Sequence, residues 1–266
     1  MTEADDVERR FVRGREMVER GRQAFSEGHR ILRGLSGEVR AARARGSIHQ
    51  LIWDCERASN TRAQFFSESG QDAFLDERVF EGKRNGVFVE IGGFDGVTGS
   101  NCLFFELMRG WSGILVEPAS APRVKAAEFR RSPCLAVAAW EAAGEQEFIE
   151  FDEGPTQMSG IGPTYDPELL ASLEEISGAR ARRRSVRTRS LAQILDSQYL
   201  RDVELISLDA MGAELRILEH FPFNEYSVGA WSIDSFVHGT EIFRLMERRG
   251  YKRVEALGTD DIYVRR

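Results

Sequence analysis

The chain has 266 residues, is 42% hydrophobic and carries a formal net charge of -7, enough apolar material for one domain-sized core and an appendage. No stretch approaches the roughly 18 to 20 apolar residues of a membrane helix, and the charged beginning of the chain is unlike a secretion signal, so neither a membrane span nor export is expected. The acidic balance argues against nucleic acid, which needs a broad basic face, and Cys55, Cys102 and Cys134 are too scattered for a disulfide framework or a cysteine zinc site, which fits a reducing cytoplasm.

Residues 1–46 lack proline and repeat every seventh residue. Phe11, Val18, Phe25, Leu32 and Val39 form one seam, and Val7, Gly14, Gly21, Gly28, Leu35 and Ala42 a second, offset by three. Such seams are the a and d positions of a helical heptad, with small residues permitting close helix approach. Each interior glycine costs a helix about 0.8 to 1.0 kcal/mol relative to alanine. The segment 1–60 is therefore expected as an N-terminal extension, helical if it packs and partly disordered if it does not. A homodimer through this helix and docking onto the rest of the chain are both open.

From about residue 61 short apolar runs alternate with helical patterns, the signature of a parallel sheet with crossover helices. Runs at 87–91, 111–117, 135–139, 203–208 and 228–233 predict five strands, with helices over 101–108, 119–129 and 212–220. At the end of the chain, 251–257 and 262–264, joined by a turn at Thr259-Asp260-Asp261, predict an antiparallel hairpin closing the sheet edge. Segment 150–190 interrupts this sheet, holds Gly154-Pro155, Gly162-Pro163 and Asp166-Pro167, and is expected as a substrate lid with Met158 and Ser159 over a bound ligand, a merely exposed loop being the alternative. Its cluster Arg180, Arg182, Arg183, Arg184, Arg187 and Arg189 is expected to be a solvated loop balanced by Glu174 and Glu175 rather than an anion site.

The chemistry is written at strand ends. Glu90-Ile91-Gly92-Gly93-Phe94-Asp95-Gly96 follows the first strand, where a glycine bend lets backbone approach a ligand and an acidic residue accepts its hydrogen bonds. As a pyrophosphate fingerprint it fails, since Phe94 stands at a glycine position and Asp95 repels phosphate, which argues against a nicotinamide enzyme. Glu117 ends the second strand and can take both hydroxyls of a ribose. Ordinary charged strand ends are the bland alternative for Glu90 and Glu117 alike.

These pieces, together with Ser69-Gly70-Gln71-Asp72, Asp95-Gly96-Val97-Thr98-Gly99-Ser100-Asn101, Val116-Glu117-Pro118, Met158-Ser159-Gly160, Ser207-Leu208-Asp209, Gly212-Ala213-Glu214 and Asp260-Asp261-Ile262-Tyr263, resemble the FkbM family of methyltransferases over residues 65–266. The resemblance implies an α/β fold: a Rossmann-like seven-stranded methyltransferase sheet, parallel with a terminal antiparallel hairpin, over 61–266. It implies S-adenosylmethionine as cofactor, lined by Glu90, Gly92, Asp95, Gly96 and Asn101, with Glu117 on its ribose and the segment around Ala139 at the adenine. Gln71 and Asp72 belong to the family's entry motif; a helix start is their alternative. The function implied is methyl transfer to an oxygen, a hydroxyl on a sugar or natural-product-like acceptor.

The likeness breaks after the fourth strand, where the family runs aspartate, any residue, glutamate, glycine and this chain has Asp209-Ala210-Met211-Gly212. The lost glutamate motivates the alternative of a non-catalytic protein that binds cofactor or glycan. Asp209 and Asp234, at neighbouring strand ends, are candidates for substrate positioning, proton acceptance or metal ligation. With Met211 present the hard-ligand count falls, so a divalent metal is not favoured and no ligand set is assigned. His238, four residues beyond Asp234, is a candidate base or a surface residue, while His29, His49 and His220 accompany no motif.

Overall fold

The computed structural model describes residues 3–58, 64–165, 167–177 and 181–266. Asp166 and Arg180 lie outside the described residues, as do the side chains of Val7, Phe11 and Glu174. Two compact units divide the chain, Met1–Gln64 and Phe65–Arg266.

The first unit is a helical hairpin of α1 (Glu3–Glu38) and α2 (Ala42–Ala58). Glu56, near the end of α2, accepts from Arg33 Nη2 at 2.5 Å and pairs with His29 Nε2 at 2.9 Å, so α2 runs back along α1. A single long helix is thus replaced by two, and the seven-residue seams cross a bend at 39–41. Among the described residues the glycine seam is not a contact in this unit: a Cβ added at Gly14, Gly21 or Gly28 would meet none of their atoms within 4 Å. Val18 and Phe25 of the other seam stay 57% and 48% exposed.

In the second unit a short helix, α3 (Gln71–Phe74), continues into a π-turn and leads to β1 (Val87–Ile91), α4 (Leu103–Arg109), β2 (Ser112–Val116), α5 (Ser120–Phe129) and β3 (Cys134–Leu135). Next come β4 (Ala138–Trp140), β5 (Gly144–Phe151), β6 (Gly160–Ile161), α6 (Pro167–Ser177), β7 (Ala181–Ser190) and α7 (Leu191–Ser197). The rest is β8 (Asp202–Leu208), α8 (Glu214–Glu219), β9 (Ser227–Asp234), α9 (Gly239–Arg248), β10 (Tyr251–Leu257) and β11 (Asp260–Arg265).

Seven strands form the main sheet in the order β10-β11-β9-β8-β1-β2-β3. All pair in parallel except β11, which is antiparallel to both of its neighbours. The chain leaves β1 towards β2 and β3, then returns to β8 on the other side of β1. That reversal is the topological switch point, where the carboxyl ends of adjacent strands open a crevice for ligand. Central strands are buried on both faces, as their continuous apolar runs require: Phe88, Val89, Leu205, Ile206, Trp231 and Tyr263 are fully buried. Among the described residues no helix is long and apolar enough to cross a membrane.

Three expectations need correction. The third run splits, since Cys134–Leu135 joins the main sheet while Ala138–Trp140 pairs with β7 in a second sheet of order β4-β7-β5-β6. The terminal turn is shorter, because Asp260 and Asp261 already pair with Leu257 and Ala256 across the hairpin. The arginine cluster is not a loop: β7 runs antiparallel to β5 from Gly144↔Thr188 to Phe151↔Ala181. Its charges are answered across the strands by acids outside 174–175. Arg182 meets Asp152 at 2.5 Å, Arg183 meets Glu147 at 2.7 Å and Arg184 meets Glu150 at 2.5 Å. The first two pairs are exposed and contribute about 0 to 1 kcal/mol each, while Glu150 of the third is buried, so the outer ladder chiefly fixes register. Of the expected insertion, 150–151 and 181–190 belong to β5 and β7, and the described residues between these strands include β6 and α6.

Candidate active site

The crevice begins where β1 and β8 end. Gly92 has φ +78°, and a Cβ there would stand 1.9 Å from the backbone oxygen of Asp209, so no other residue permits this approach of the two strand-end loops. Asp209 N–H donates to Ile91 O at 3.1 Å and closes them. Phe94 also lies in the left-handed region, at φ 43°, a strained conformation for a side chain with a Cβ. Its N–H donates to Glu117 Oε2 at 3.0 Å, and Ala119 N–H donates to Glu117 Oε1 at 2.7 Å. Burial raises the Glu117 carboxyl to about 7, against the pull of these two donors.

Two cavities open from this junction. The first, about 580 Å³, is walled on one side by Val116, Ala138, Ala139, Phe148 and Ile161, with Glu117, Asp209, Thr156, Gln157 and Ser159 as its polar lining. The second, about 700 Å³, is polar and includes Glu68, Gln71, Glu90, Asn101, Thr259 and Asp260. Ile91, Gly92, Phe94, Gln157 and Asp209 line both. Asn101 Nδ2 donates to Ser207 Oγ at 3.0 Å, Asp260 Oδ2 at 3.1 Å and Ser232 Oγ at 3.3 Å. Its Oδ1 is buried without a partner among the described residues, a vacant acceptor beside a cavity and costly unless a donor arrives.

Of the residues expected at the cofactor, Gln71, Glu90, Gly92, Asn101, Glu117 and Ala139 line these cavities. Glu90 is already engaged: Oε2 accepts from Arg130 Nη1 at 2.9 Å and Oε1 from Ser100 Oγ at 2.7 Å. Arg130, itself buried, bridges Glu90 to Glu106. Gln71 Oε1 accepts from Ser69 N–H at 2.9 Å. Asp72, Asp95 and Gly96 lie outside both linings. Asp72 holds the turn before α3 through Phe66 N–H at 2.7 Å and Ser67 Oγ at 2.5 Å, and burial raises it to about 6. Asp95 closes a local turn on Thr98 N–H at 2.8 Å. At Gly96 a Cβ would meet Arg130 Cγ at 2.8 Å, which makes it a packing glycine.

The candidate chemical end is more acidic than the sequence led us to expect. Asp209, Glu214 and Asp234 each bring a carboxylate oxygen within 4.8 Å of the others. Glu214 was not singled out as a candidate, because the eye falls on Met211. Its signal was its place just after Gly212, in the first turn of α8. There Oε1 accepts from Ala210 N–H at 2.6 Å and Gly212 N–H at 3.2 Å, fixing the loop that carries Asp209. Such an all-carboxylate set is the donor type that hard divalent cations take. Burial, then Asp234, Glu214 and Asp260, hold the Asp209 carboxyl well above its usual range. Asp209 is nonetheless open to solvent along the crevice, and water there tempers the rise. Burial, then Asp234, raises Glu214 to about 7. Asp260 is raised to about 7, by burial first, while the bond from Ser232 opposes the rise. His238 occupies the N-cap position of α9 and lines neither cavity.

From the second sheet, Thr156, Gln157, Ser159, Gly160 and Ile161 complete the first cavity. Met211, at φ 50°, lines that cavity and packs so closely that a Cβ on Gly160 would lie 2.7 Å from its Cβ. Thr164 Oγ1 donates to Met211 O at 2.8 Å. Met158 points instead to a small apolar cluster with Ile149 and Phe151.

Residues 90–253, more than half of the chain, match the family model described as the Methyltransferase FkbM domain. Among solved structures, a methyltransferase FkbM from Methylobacillus flagellatus KT is similar at 11% identity and a TM-score of 0.47, covering 88% of this chain and 57% of that one. A TehB-like SAM-dependent methyltransferase from Corynebacterium glutamicum is similar at 11% identity and a TM-score of 0.39, covering 80% of this chain and 96% of that one. The chain thus spans little more than half of the first of these proteins. No curated protein matches it.

Proposed function

We propose, from the premise that this chain belongs to the FkbM family of methyltransferases, that it transfers a methyl group from S-adenosylmethionine to a hydroxyl oxygen of a sugar or natural-product-like acceptor. The observation that carries this reading is the pair of cavities joined at the switch point, one largely apolar with Glu117 and the shared Asp209 as its carboxylates and the other rich in acceptors. That division of polarity suits a nucleoside joined to a cationic amino-acid tail. When bound, S-adenosylmethionine supplies an electrophilic methyl on a positively charged sulfur.

The chain's own residues meet it as follows. Ala138, Ala139, Phe148 and Ile161 offer an apolar slot for a base, and Glu117 at its edge accepts from ribose hydroxyls. The vacant Asn101 Oδ1 and the Asp260 carboxylate offer acceptors to an ammonium. Asp209, between the cavities, takes the proton of the acceptor hydroxyl as its oxygen attacks, and a carboxyl held above its usual range is a stronger base once ionised. Asp234 and Glu214 keep it raised, and Glu214 holds its loop. Alignment of the two reactants does much of the rest. The non-catalytic reading rested on Met211; Glu214 restores a third carboxylate beside Asp209 and Asp234, which supports turnover. The seven-residue seams of α1 support a homodimer, with cytoplasmic residence in keeping with the scattered free cysteines.

Calorimetry with S-adenosylhomocysteine and NADH, followed by a screen of hydroxylated acceptors for S-adenosylhomocysteine release, tests the reading. Binding of the first ligand and not the second is expected. Binding of NADH alone would overturn it.

A further inference from the structure

Five residues line both cavities, and only two of them, Asp209 and Gln157, carry polar side chains. Asp209 comes from the main sheet and Gln157 from the segment after β5, so the two reach the junction from different sheets. If the adenosine and amino-acid ends of the cofactor occupy the two cavities, its sulfur must sit where they meet. This step rests on the proposed function above.

The backbone around Gln157 is held on every side. Thr156 N–H donates to Gly154 O at 2.9 Å and Met158 N–H to Pro155 O at 2.8 Å. Ser159 Oγ donates to Thr156 O at 2.8 Å and accepts from Phe151 N–H at 3.0 Å, tying the turn to β5. Tyr165 OH donates to Met158 O. The Gln157 amide, by contrast, has no hydrogen-bond partner among the described residues, and the residue is exposed. A fixed backbone thus carries an amide that is open to a ligand to the junction of the two cavities.

We propose that Gln157 is a positioning residue that reads the charge on the cofactor's sulfur, its amide oxygen turned towards the sulfonium. A carbonyl dipole near a cation is favourable, and near a neutral thioether it gains little. The residue therefore favours the methylated cofactor over the demethylated product, which aids exchange after each turnover.

The test needs no acceptor. Dissociation constants for S-adenosylmethionine, for S-adenosylhomocysteine and for sinefungin, whose ammonium replaces the methylated sulfur, are measured by calorimetry on the full chain and on Gln157→Leu and Gln157→Glu. For the leucine variant the two cationic ligands should weaken by about tenfold, the scale of one hydrogen bond to a charged group, while S-adenosylhomocysteine changes less than about twofold on the same scale. Gln157→Glu should restore or increase the preference for the cations. Equal weakening of all three ligands would assign Gln157 to lid structure and overturn the proposal, as would no change. Should the unaltered chain bind none of the three, the proposed function itself fails, and that outcome is separate from any effect of the variants.

Discussion

Replacing Glu117 by glutamine separates a ribose ligand from an ordinary charged strand end. Its two oxygens accept from Phe94 N–H at 3.0 Å and Ala119 N–H at 2.7 Å, and a carboxylate oxygen that accepts one hydrogen bond has a second lone pair left for a hydroxyl. The amide keeps one acceptor and turns an NH2 towards the other donor, so one hydroxyl contact to a charged group is lost, about 1.5 to 3 kcal/mol. Cofactor affinity should therefore fall by about tenfold or more. One buried N–H also loses its acceptor, which costs the fold about 1 to 3 kcal/mol, so folding of the variant is checked by circular dichroism. A second arm uses pH. Ribose hydroxyls and backbone N–H groups all donate, so binding needs the ionised carboxylate, and with Glu117 at about 7 the affinity of the native chain should fall as pH drops below 7. Stability of the ligand-free protein moves the other way. The folded pKa lies above the usual 4.5, so ionisation opposes folding: stability is fullest below about 4.5 and declines as pH rises through 7. Affinity and ligand-free stability thus run in opposite directions between pH 5 and 8, and the glutamine variant should lose the Glu117 part of both slopes. An unchanged dissociation constant in a folded variant, or a native affinity flat across that range, would refute the ribose assignment.

Asp209→Asn should lower turnover by about 100-fold or more, the scale of a lost general base, with cofactor affinity held within threefold by about the same calorimetric standard; full activity on an identified acceptor would make Asp209 structural. Arg130→Met should destabilise the second unit by about 3 to 5 kcal/mol, because Glu90 and Glu106 are left buried without their cation, and urea unfolding of the variant with an unchanged midpoint would contradict this. Removal of 1–64 should convert a dimer to a monomer in light scattering; an oligomeric state unchanged by the cut would show that the exposed Val18 and Phe25 do not mediate self-association.

The main sheet was legible because its signals are local and redundant. Runs such as Val87–Ile91 and Asp202–Leu208 can be buried strands and little else at that length, and the Gly92 bend marks where backbone must pass backbone. The second sheet was not legible for an equally physical reason. Arginines dominate β7, and a strand whose exposed positions carry charge reads as a loop unless its partner is known; the alternation of Val186 and Thr188 with arginine was the cue. Acids on β5 lie more than thirty residues away, for example Glu150 paired with Arg184, a separation that no local pattern reveals. The same holds for α2, since the seven-residue count runs through the bend at 39–41 and conceals it.

Within the site, strand-end residues with side chains directed into the crevice were legible, and residues whose carboxylates serve the scaffold were mistaken for ligand groups. Asp72 and Asp95 have the right chemistry for a cofactor and the wrong direction: each folds back on N–H groups within six residues of itself. Glu90 faces the cavity but needs Arg130 to be buried at all. Met211 shows the converse error. Counting ligands along the chain makes it a loss, whereas in space Glu214, three residues on and at the start of α8, brings its carboxylate to Asp209 and Asp234. A thioether at Met211 then spares this cavity a further acidic wall beside Glu117 and Asp209, which a neutral nucleoside base would favour. The substitution therefore separates two demands that one residue would otherwise serve: an apolar wall for the base at Met211, and a carboxylate for the acidic junction at Glu214. On this argument Met211→Glu should weaken cofactor affinity rather than restore activity, by placing a third carboxylate near Glu117 and raising the desolvation cost of the cavity. A gain in turnover from that variant would show that the chain had lost a catalytic group after all.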